Sequence, residues 1–417
     1  MKTNAERVRI KKKYNQRIFI VSELHMEPQE LTLDDGRRIF IRRGQAEDQE
    51  KIKKLYTDVY GNSYTIPEIA NTEKMAQALN DRHNYLWIVS QSENRIVGSV
   101  IFSVDPYHHL GKAFSGVIAA DFRGCKLIYS MMRKAHESLL CEGGPCTMIY
   151  AMVRTFVSPN FHKHLKELGY IDTGIFPNVR RVRDYETHSF KICLGPNAFK
   201  DRRPLPRIYN QVQTMYRLVD RQLNLGPAIM RSVDLPPCPD PLLKLEPASP
   251  EDYPNGIEAE REKLRQANSL RFGFCPLLEP NTMLINKEKT VRAFLNFQPI
   301  DGHATMVGLE TGKYDMVCLL ESVAAACEKM GTKYLEVLAS AYDPIIQAQL
   351  WQAYFLPCAW FPAARLAEGQ RLDYMFASRS FVPLNFKGLK LTEDCKPYLL
   401  EFFKLYTARL WEELVNA

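Results

Sequence analysis

The sequence predicts an α+β protein with two domains, each a mixed, mostly antiparallel sheet flanked by helices, plus a linker helix and a C-terminal helix. Three observations favour this class. The chain has 417 residues, and one hydrophobic core rarely serves so many. Apolar β-type runs alternate with helical stripes along both halves. Between the halves, residues 196–250 are rich in proline and break the pattern.

These patterns divide the chain into five segments. We expect a basic N-terminal extension, a first domain, a linker with one helix, a second domain and a C-terminal helical segment, over residues 1–36, 37–195, 196–250, 251–385 and 386–417. The last helix has an apolar face that a domain or another subunit must cover. A homodimer is therefore one interpretation.

Composition excludes several classes of protein. No run of eighteen apolar residues occurs, so we expect no membrane partner. The basic N-terminus, which includes Lys11 to Lys13, lacks an apolar signal core, and we expect a cytoplasmic protein. The ten cysteines form no C-x-x-C pair, which favours reduced thiols and no metal. The net charge of +7 is modest, and without aromatic-interleaved basic patches it does not favour a nucleic-acid partner.

The first domain begins with a predicted hairpin that turns at Asp35-Gly36. A helix with an apolar stripe follows Asp48, and a second helix is predicted over Ala70 to Leu79. The apolar runs Tyr85 to Ser90 and Ile96 to Phe102 then predict a second hairpin. The early helices and this hairpin also carry the aromatic residues Tyr56, Tyr60, Tyr64 and Trp87, which together with Phe114 are suited to line an apolar or aromatic pocket. Ordinary core packing is the alternative interpretation.

The segment from Val117 to Leu139 is the most informative one. We expect a strand over Val117 to Ala120, a turn around Arg123-Gly124, and a helix that begins near Leu127. Such a turn leaves amide groups unpaired at the positive end of the helix dipole, where a phosphate or diphosphate can bind. The candidate ligand-binding residues here are Val117, Ile118, Ala119, Arg123, Gly124, Cys125, Lys126, Leu127 and Ile128.

The rest of the first domain follows the same alternation. Thr147 to Val153 predicts a strand, and Asn160 to Gly169 predicts a helix that ends at a glycine cap. Asn160 stands at the start of that helix, where its side chain is expected to cap it. The segment from Gly169 to Leu194 predicts the final strands.

This order of elements resembles the GNAT superfamily of acyl-CoA-dependent N-acyltransferases, over roughly Ile39 to Leu194. The motifs that carry the resemblance are ENRIVGSVIF, DFRG and LGY. The family's turn reads Arg-Gly-x-Gly-x-Gly/Ala. This sequence keeps Arg123 and Gly124 but has Lys126 and Ile128 in place of the later small residues, which allow close backbone approach.

The resemblance implies an acyl-CoA cosubstrate, such as acetyl-CoA, and an amine-bearing acceptor. It implies that a backbone N–H of the strand before the turn polarises the thioester carbonyl, and that Asn160 lies near pantetheine. The family's acid is a tyrosine at the position of Leu165. His164 beside it, or Tyr170 nearby, is expected to supply the proton. For the base, His109 stands in the loop before the strand, and a water chain is the alternative.

The C-terminal half repeats the pattern faintly. Strands are predicted over Thr290 to Phe297 and Ala304 to Leu309, then a helix over Tyr314 to Met330. The turn between them reads Glu310-Thr311-Gly312-Lys313, and a carboxylate there repels a diphosphate. We therefore interpret this half as a degenerate second GNAT-like domain.

The sequence thus predicts an acyl-CoA-dependent N-acyltransferase, most simply an N-acetyltransferase, that works by direct attack of the amine. A non-catalytic acyl-CoA-binding or scaffold protein is the alternative, because the later glycines and the tyrosine acid are missing. A transferase that acts on aminoacyl-tRNA or RNA is a third interpretation, supported only by the basic N-terminus and linker.

Overall fold

The computed structural model describes residues 22–61, 66–181, 184–236 and 242–416, which form two compact units. The first unit contains the described residues up to 152, with 158–171 and 192–198. The second contains residues 153–157, 172–191 and the described residues from 199 onward. Three features named above lie outside the described residues, namely Lys11 to Lys13, most of the N-terminal extension, and Tyr64.

The first unit is built on a sheet whose strands follow one another in chain order. Each neighbouring pair is antiparallel except the last, which is parallel. The strands are β1 (Gln29–Thr32), β2 (Arg38–Arg43), β3 (Tyr85–Ser92), β4 (Arg95–Asp105), β5 (Leu110–Ile118) and β6 (Met148–Arg154, its last two residues in the second unit). The apolar runs of β3 and β4 are buried on both faces, and Trp87 and Phe102 have no measurable exposure.

Five helices among the described residues accompany this sheet. They are α1 (Gln49–Tyr60), α2 (Pro67–Ala70), α3 (Thr72–Asn80), α4 (Leu127–Leu139) and α5 (Pro159–Glu167). The helix predicted over Ala70 to Leu79 is α3, which begins two residues later because Asn71 is extended between α2 and α3. Its side chain caps α3 by accepting a hydrogen bond from the Lys74 amide, at 3.0 Å.

Two further strands, β7 (Tyr170–Arg181) and β8 (Tyr185–Leu194), pass from the first unit into the second. The predicted boundary at residue 195 therefore differs from the observed one. The reason is packing: Phe176 and Phe190 join Phe361 and Phe376, with ring centroids 5.1–5.8 Å apart. The backbones also meet, since a Cβ on Gly174 would lie 2.2 Å from that of Ala359.

The second unit's main sheet has the strand order β8-β7-β16-β17-β15-β14-β13-β12-β11. Its pairings are antiparallel from β7 to β16 and onward, except that β14 and β15 run parallel. The strands introduced here are β11 (Glu246–Pro247), β12 (Thr282–Ile285), β13 (Arg292–Gln298), β14 (His303–Glu310), β15 (Tyr334–Ser340), β16 (Leu356–Ala367) and β17 (Gln370–Ser380). A small parallel pair, β9 (Arg207–Tyr209) and β10 (Ile229–Arg231), stands apart from this sheet.

The helices described in the second unit are α6 (Gln213–Leu223), α7 (Ile257–Gln266), α8 (Met316–Lys329), α9 (Pro344–Gln352) and α10 (Lys396–Asn416). The predicted linker is part of this unit rather than a tether. Arg202 makes a buried two-bond ion pair with Asp373, at 2.8 and 2.5 Å. The ring of Tyr216, on α6, packs 4.9 Å from that of Trp360.

The predicted fold class is confirmed, since both units combine mixed, mostly antiparallel sheets with flanking helices. One expectation about the thiols is wrong. Cys318 is disulfide-bonded, whereas eight other cysteines of the described residues are free. No helix in the described part of the chain is long and apolar enough to cross a membrane.

Candidate functional site

The turn after β5 is the first candidate site, and the strand before it ends earlier than predicted. Ile118 is the last strand residue. The Ala119 amide donates to the Val97 carbonyl, at 2.8 Å, and Ala120 to Phe122 form a single 3₁₀ turn. The Ala119 amide is therefore already used inside the protein, whereas Val117 and Ile118 lie in β5 as expected.

The amides of the turn fall into two groups. Those of Phe122 and Arg123 donate to the carbonyls of Ala119 and Ala120, at 2.9 and 3.3 Å. For the five amides from Gly124 to Ile128, the described residues provide no hydrogen-bond acceptor. The first helical bond of α4 starts only at Ser130, which donates to the Lys126 carbonyl at 3.1 Å. Five consecutive donors are therefore available to a ligand.

The backbone of the turn leaves open space at Gly124. Gly124 has φ +89°, and a Cβ built on it would meet nothing within 4 Å. Lys126, the residue just before α4, has φ 55° and provides no side-chain cap. The Lys126 side chain is exposed. The concave arrangement of amides, the positive end of the helix dipole and the adjacent cations together suit a phosphate-bearing ligand.

Two arginines that the motif analysis did not single out support the turn. Arg37 donates to the Asp121 carbonyl at 3.0 Å, and its guanidinium lies 3.9 Å from the ring centroid of Phe122. Arg95 makes a two-bond ion pair with the Asp121 carboxylate, at 2.8 and 3.1 Å. Hydrogen bonding from Arg95 lowers the pKa of Asp121. The carboxylate closest to the turn is therefore ionised and neutralised by a partner.

Neither arginine carries a signal in the sequence near the turn itself. Arg37 follows the Asp35-Gly36 hairpin turn, and Arg95 begins β4. Both reach the turn only because β2 and β4 belong to the same sheet as β5. The sequence could have indicated that these two arginines lie near the turn only if the strand order had been known.

Strand β5 carries a bulge near the middle of its length. Val117 pairs with Ser99, and Phe114 pairs with Ile101, so Ser115 and Gly116 oppose a single residue. Ser115 has φ 55°. The Tyr56 hydroxyl donates a short hydrogen bond to the Ser115 carbonyl. Tyr56, one of the predicted aromatic residues, is therefore hydrogen-bonded to the backbone of the bulge. The ring of Tyr60 stacks on the ring of Tyr56, with centroids 6.4 Å apart.

The parallel pairing of β5 with β6 is short. It joins Leu110, Gly111 and Lys112 to Met148, Ile149 and Tyr150. Six further residues of β5, Ala113 to Ile118, extend beyond the last of these pairs. The bulge lies in this extension and the Arg-Gly turn follows it, so a ligand held at the turn can continue along the free edge of the strand.

The predicted acid His164 has an aromatic partner at the start of α4. Its ring centroid lies 5.7 Å from that of Tyr129, which stands in the first turn of the helix. Both side chains are partly exposed. The structure therefore brings His164 to the helix that follows the Arg-Gly turn, and it adds a phenol that the sequence reasoning missed.

The other two predicted acid or base residues lie apart from the turn. The Tyr170 side chain is buried, and its hydroxyl is hydrogen-bonded to His136 Nε2 at 3.1 Å. Burial raises the pKa of Tyr170 well above its usual range and lowers that of His136 to about 4. His109 stands just before β5, at the end opposite the turn, with Nδ1 3.2 Å from the Pro145 carbonyl.

The cap of α5 also differs from the prediction. Ser158 accepts a hydrogen bond from the Asn160 amide at 3.3 Å, and Pro159 occupies the first helical position. Asn160 itself is exposed within the first turn. The capping role therefore belongs to Ser158, because proline is favoured one residue after the cap.

The corresponding turn of the second unit is closed by its own side chains. The Asp315 carboxylate caps α8 by accepting from the amides of Val317 and Cys318, at 2.8 and 3.2 Å. Glu310 forms an ion pair with Arg292 at 3.2 Å. Among the described residues, no group of histidines, cysteines and carboxylates could hold a metal ion.

Comparisons with known proteins give similar folds at low identity. The acetyltransferase of the GNAT family from Streptococcus pneumoniae is 17% identical with a TM-score of 0.34, over 38% of this chain and 99% of that one. A ribosomal-protein-S5-alanine acetyltransferase from Vibrio fischeri is 13% identical with a TM-score of 0.34, over 40% and 98%.

A third solved structure is that of the microcin C7 self-immunity acetyltransferase in complex with acetyl-CoA and AMP. It is 13% identical to this chain with a TM-score of 0.32, over 37% of this chain and 92% of that one. No protein-family model and no curated protein matches the sequence.

Proposed function

We propose that the first unit binds the diphosphate of an acyl-CoA at the Arg-Gly turn and transfers the acyl group to an amine. The observation that carries this proposal is the run of five open amides from Gly124 to Ile128. Amides at a helix start are strong anion donors because their dipoles add to that of the helix. The side chains of Arg123 and Lys126 add positive charge at the same place.

The edge of β5 provides the path for the rest of the ligand. The bulge at Ser115–Gly116 changes the direction of the backbone N–H and C=O groups of β5. Tyr56 stabilises the bulge by its hydrogen bond to the Ser115 carbonyl. When bound, an acyl-CoA supplies an activated thioester carbonyl. The amide of Ile118 is our candidate to polarise that carbonyl, while the free edge of β5 orients it for the amine. The amide of Val117 points toward β4, as that of Ala119 does.

The leaving thiolate needs a proton, and we assign its source to His164 with Tyr129. The amine nitrogen forms a bond to the carbonyl carbon as the carbon–sulfur bond breaks. His164 then delivers a proton to the sulfur, and the amine's proton passes to water. Histidine is the side chain that most often serves as a general acid or base. The phenol of Tyr129 is placed to orient that imidazole or to share its role.

Calorimetry with CoA and acetyl-CoA tests the binding step on the full chain. Arg123→Glu places a negative charge beside the open amides, and we expect affinity to fall at least about tenfold. Arg133→Glu is the matched control, because it makes the same charge change further along α4, where the arginine is half exposed and near Glu137. Equal losses for the two variants would contradict a site at the turn.

The chemical step is tested by thiol release in the presence of a panel of amines. We expect His164→Gln to lower kcat by about 10²-fold or more and to change KM for acetyl-CoA little. Tyr129→Phe should lower kcat less. Binding without thiol release across the panel would favour the alternative, an acyl-CoA-binding protein, which the buried Leu165 at the acid position supports.

A further inference from the structure

The second unit contains a cavity of about 300 Å³ beneath its last helix. Its floor includes Tyr334 at the start of β15 and Ser378 on the paired strand β17. Its roof includes Phe402 and Tyr406, which stand four residues apart on one face of α10. The cavity lies at the β15 end opposite the α8 start, so it is separate from the turn at Glu310.

The cavity has a mixed lining. It includes four aromatic rings, those of Tyr334, Tyr354, Phe402 and Tyr406, together with aliphatic side chains, two serines and Arg379. Aromatic rings offer large, rigid surfaces that favour stacked or edge-on contact with another ring. A pocket of this size and lining takes a small aromatic molecule.

Tyr334 contributes shape to the lining rather than a donor. It is 1% exposed, and its hydroxyl is itself buried. The Ser378 hydroxyl and the Cys358 thiol are the polar neighbours of that hydroxyl. The polar contact to a ligand must therefore come from another residue of the lining.

The charge in the lining comes from Arg379. Its Nη1 donates to Glu321 at 2.8 Å and to the Ala353 carbonyl at 3.0 Å. Nε and Nη2 have no acceptor within the described ranges. The guanidinium is held over the rings of Tyr354 and Phe381, at 5.4 and 5.6 Å from their centroids. Nε and Nη2 form the edge of a guanidinium that binds a carboxylate with two parallel hydrogen bonds.

The nearest buried carboxylate does not occupy this edge. Glu336, two residues after Tyr334, accepts from the Thr305 hydroxyl at 3.0 Å and lies 3.4 Å from His303 Nε2. It is not part of the cavity lining. Its charge favours a neutral group near Tyr334 and leaves the Arg379 side for the anion.

We propose that this cavity binds a small aromatic carboxylate, with the ring between Tyr354, Phe402 and Tyr406 and the carboxylate on the Nε–Nη2 edge of Arg379. This site is independent of acyl transfer in the first unit, and it gives the second unit a ligand of its own.

Calorimetry on the full chain with 2-naphthoate and its neutral analogue 2-naphthamide tests the proposal. We expect the acid to bind at least about tenfold more tightly than the amide, because only the acid uses both guanidinium donors. Arg379→Met keeps the apolar stem and should abolish this preference. Failure of the acid to bind, or equal affinities for acid and amide in the unchanged protein, would overturn the proposal.

A second pair of variants tests the site even if the Arg379→Met protein does not fold. Val382→Trp fills the cavity from its wall and should weaken 2-naphthoate at least about tenfold. Leu400→Ala is the matched control, because Leu400 is on the same helix as the roof but is 71% exposed. Unchanged affinity in a folded Val382→Trp protein, verified by its thermal unfolding, would place the ligand elsewhere and contradict the site.

Discussion

Helices α4 and α8 follow similar strands but begin in opposite ways. At α4, five amides have no acceptor in the described chain, and the residue just before the helix is Lys126. At α8, the Asp315 carboxylate takes two of the amides, at 2.8 and 3.2 Å. An anion at the α8 start must displace a covalently attached competitor. The α4 start has no such competitor.

The ion pairs of the two regions differ in the same direction. Arg95 and Asp121, beside the open turn, are each about half exposed. Arg202 and Asp373 in the second unit are 6% and 0% exposed. The first turn keeps its charges where a ligand can meet them, whereas the second unit uses its charges to hold its own elements together. Similar element orders therefore leave a charged pair exposed in one place and bury one in another.

The largest expected effect comes from breaking the buried pair. Arg202→Met leaves Asp373 buried without its cation, and we expect the free energy of unfolding to fall by about 3–5 kcal/mol. Arg95→Met is the control in the exposed pair, with an expected loss of at most about 1 kcal/mol. Urea unfolding measures both. Similar losses for the two variants would break the comparison.

Acidification tests a buried group of the first unit that lies away from the turn. Burial lowers the pKa of His136 from 6.5 to about 4, so the unfolded chain binds the proton first. Stability is complete above about pH 6.5 and is lost as the pH falls toward 4, by roughly 3 kcal/mol from this group.

The measurement is the free energy of unfolding between pH 7 and 4, for the unchanged protein and for His136→Gln. The variant lacks the titrating ring, so its unfolding free energy should depend less on pH over this range. The same dependence in both proteins would show that His136 is not the responsible group.

An exchange of the helix starts is the direct test of the open turn. Lys126→Asp introduces a carboxylate at the residue just before α4, the position that Asp315 has before α8. We expect CoA affinity to fall about 30-fold, or ~2 kcal/mol, because the new carboxylate repels the diphosphate. Lys126→Gln, which only removes the charge, should cost a smaller factor in the same calorimetric titration. A larger loss for the glutamine variant would argue against repulsion of the diphosphate by the carboxylate.

The smallest effect is expected at the closed helix start. Asp315→Ala removes the cap of α8 and should lower the free energy of unfolding by about 1 kcal/mol. Asp315→Asn keeps a capping oxygen and should lose less. Denaturant unfolding of the three proteins gives the ranking. Removal of the cap without any loss of stability would show that the carboxylate does not hold the helix.

Local patterns were enough to predict most of the elements. The apolar stripe after Gly124 predicted α4, and the alternating runs predicted β3, β4 and β14 within a few residues. Failures occurred where a single side chain decides a boundary. Asn71 caps α3 and sets its start two residues after the predicted one, and Ser158 rather than Asn160 caps α5. Several polar residues competed for each role, and spacing alone did not rank them.

Of the candidate site at the Arg-Gly turn, the sequence predicted only the residues of the turn itself. Arg123, Gly124 and Lys126 were evident because a strand, a glycine turn and a helix follow one another in sequence. Arg37, Arg95 and Tyr129 were not, because their roles depend on elements that meet through the sheet or through helix packing. Tyr170 was a reasonable candidate because it lies close to His164 in the sequence. In the structure, its hydroxyl is hydrogen-bonded to His136 in the core.

The sequence by itself determined the alternation of strands and helices and the open Arg-Gly turn, since these depend on hydrophobic periodicity and local backbone preference. The tertiary structure alone decided that residues 172–191 pack with the second unit and that the predicted linker is held there. It also decided which charges are buried. The physical reason is that burial and pairing depend on contacts between residues far apart in the chain, such as Arg202 with Asp373, and no local pattern records those contacts.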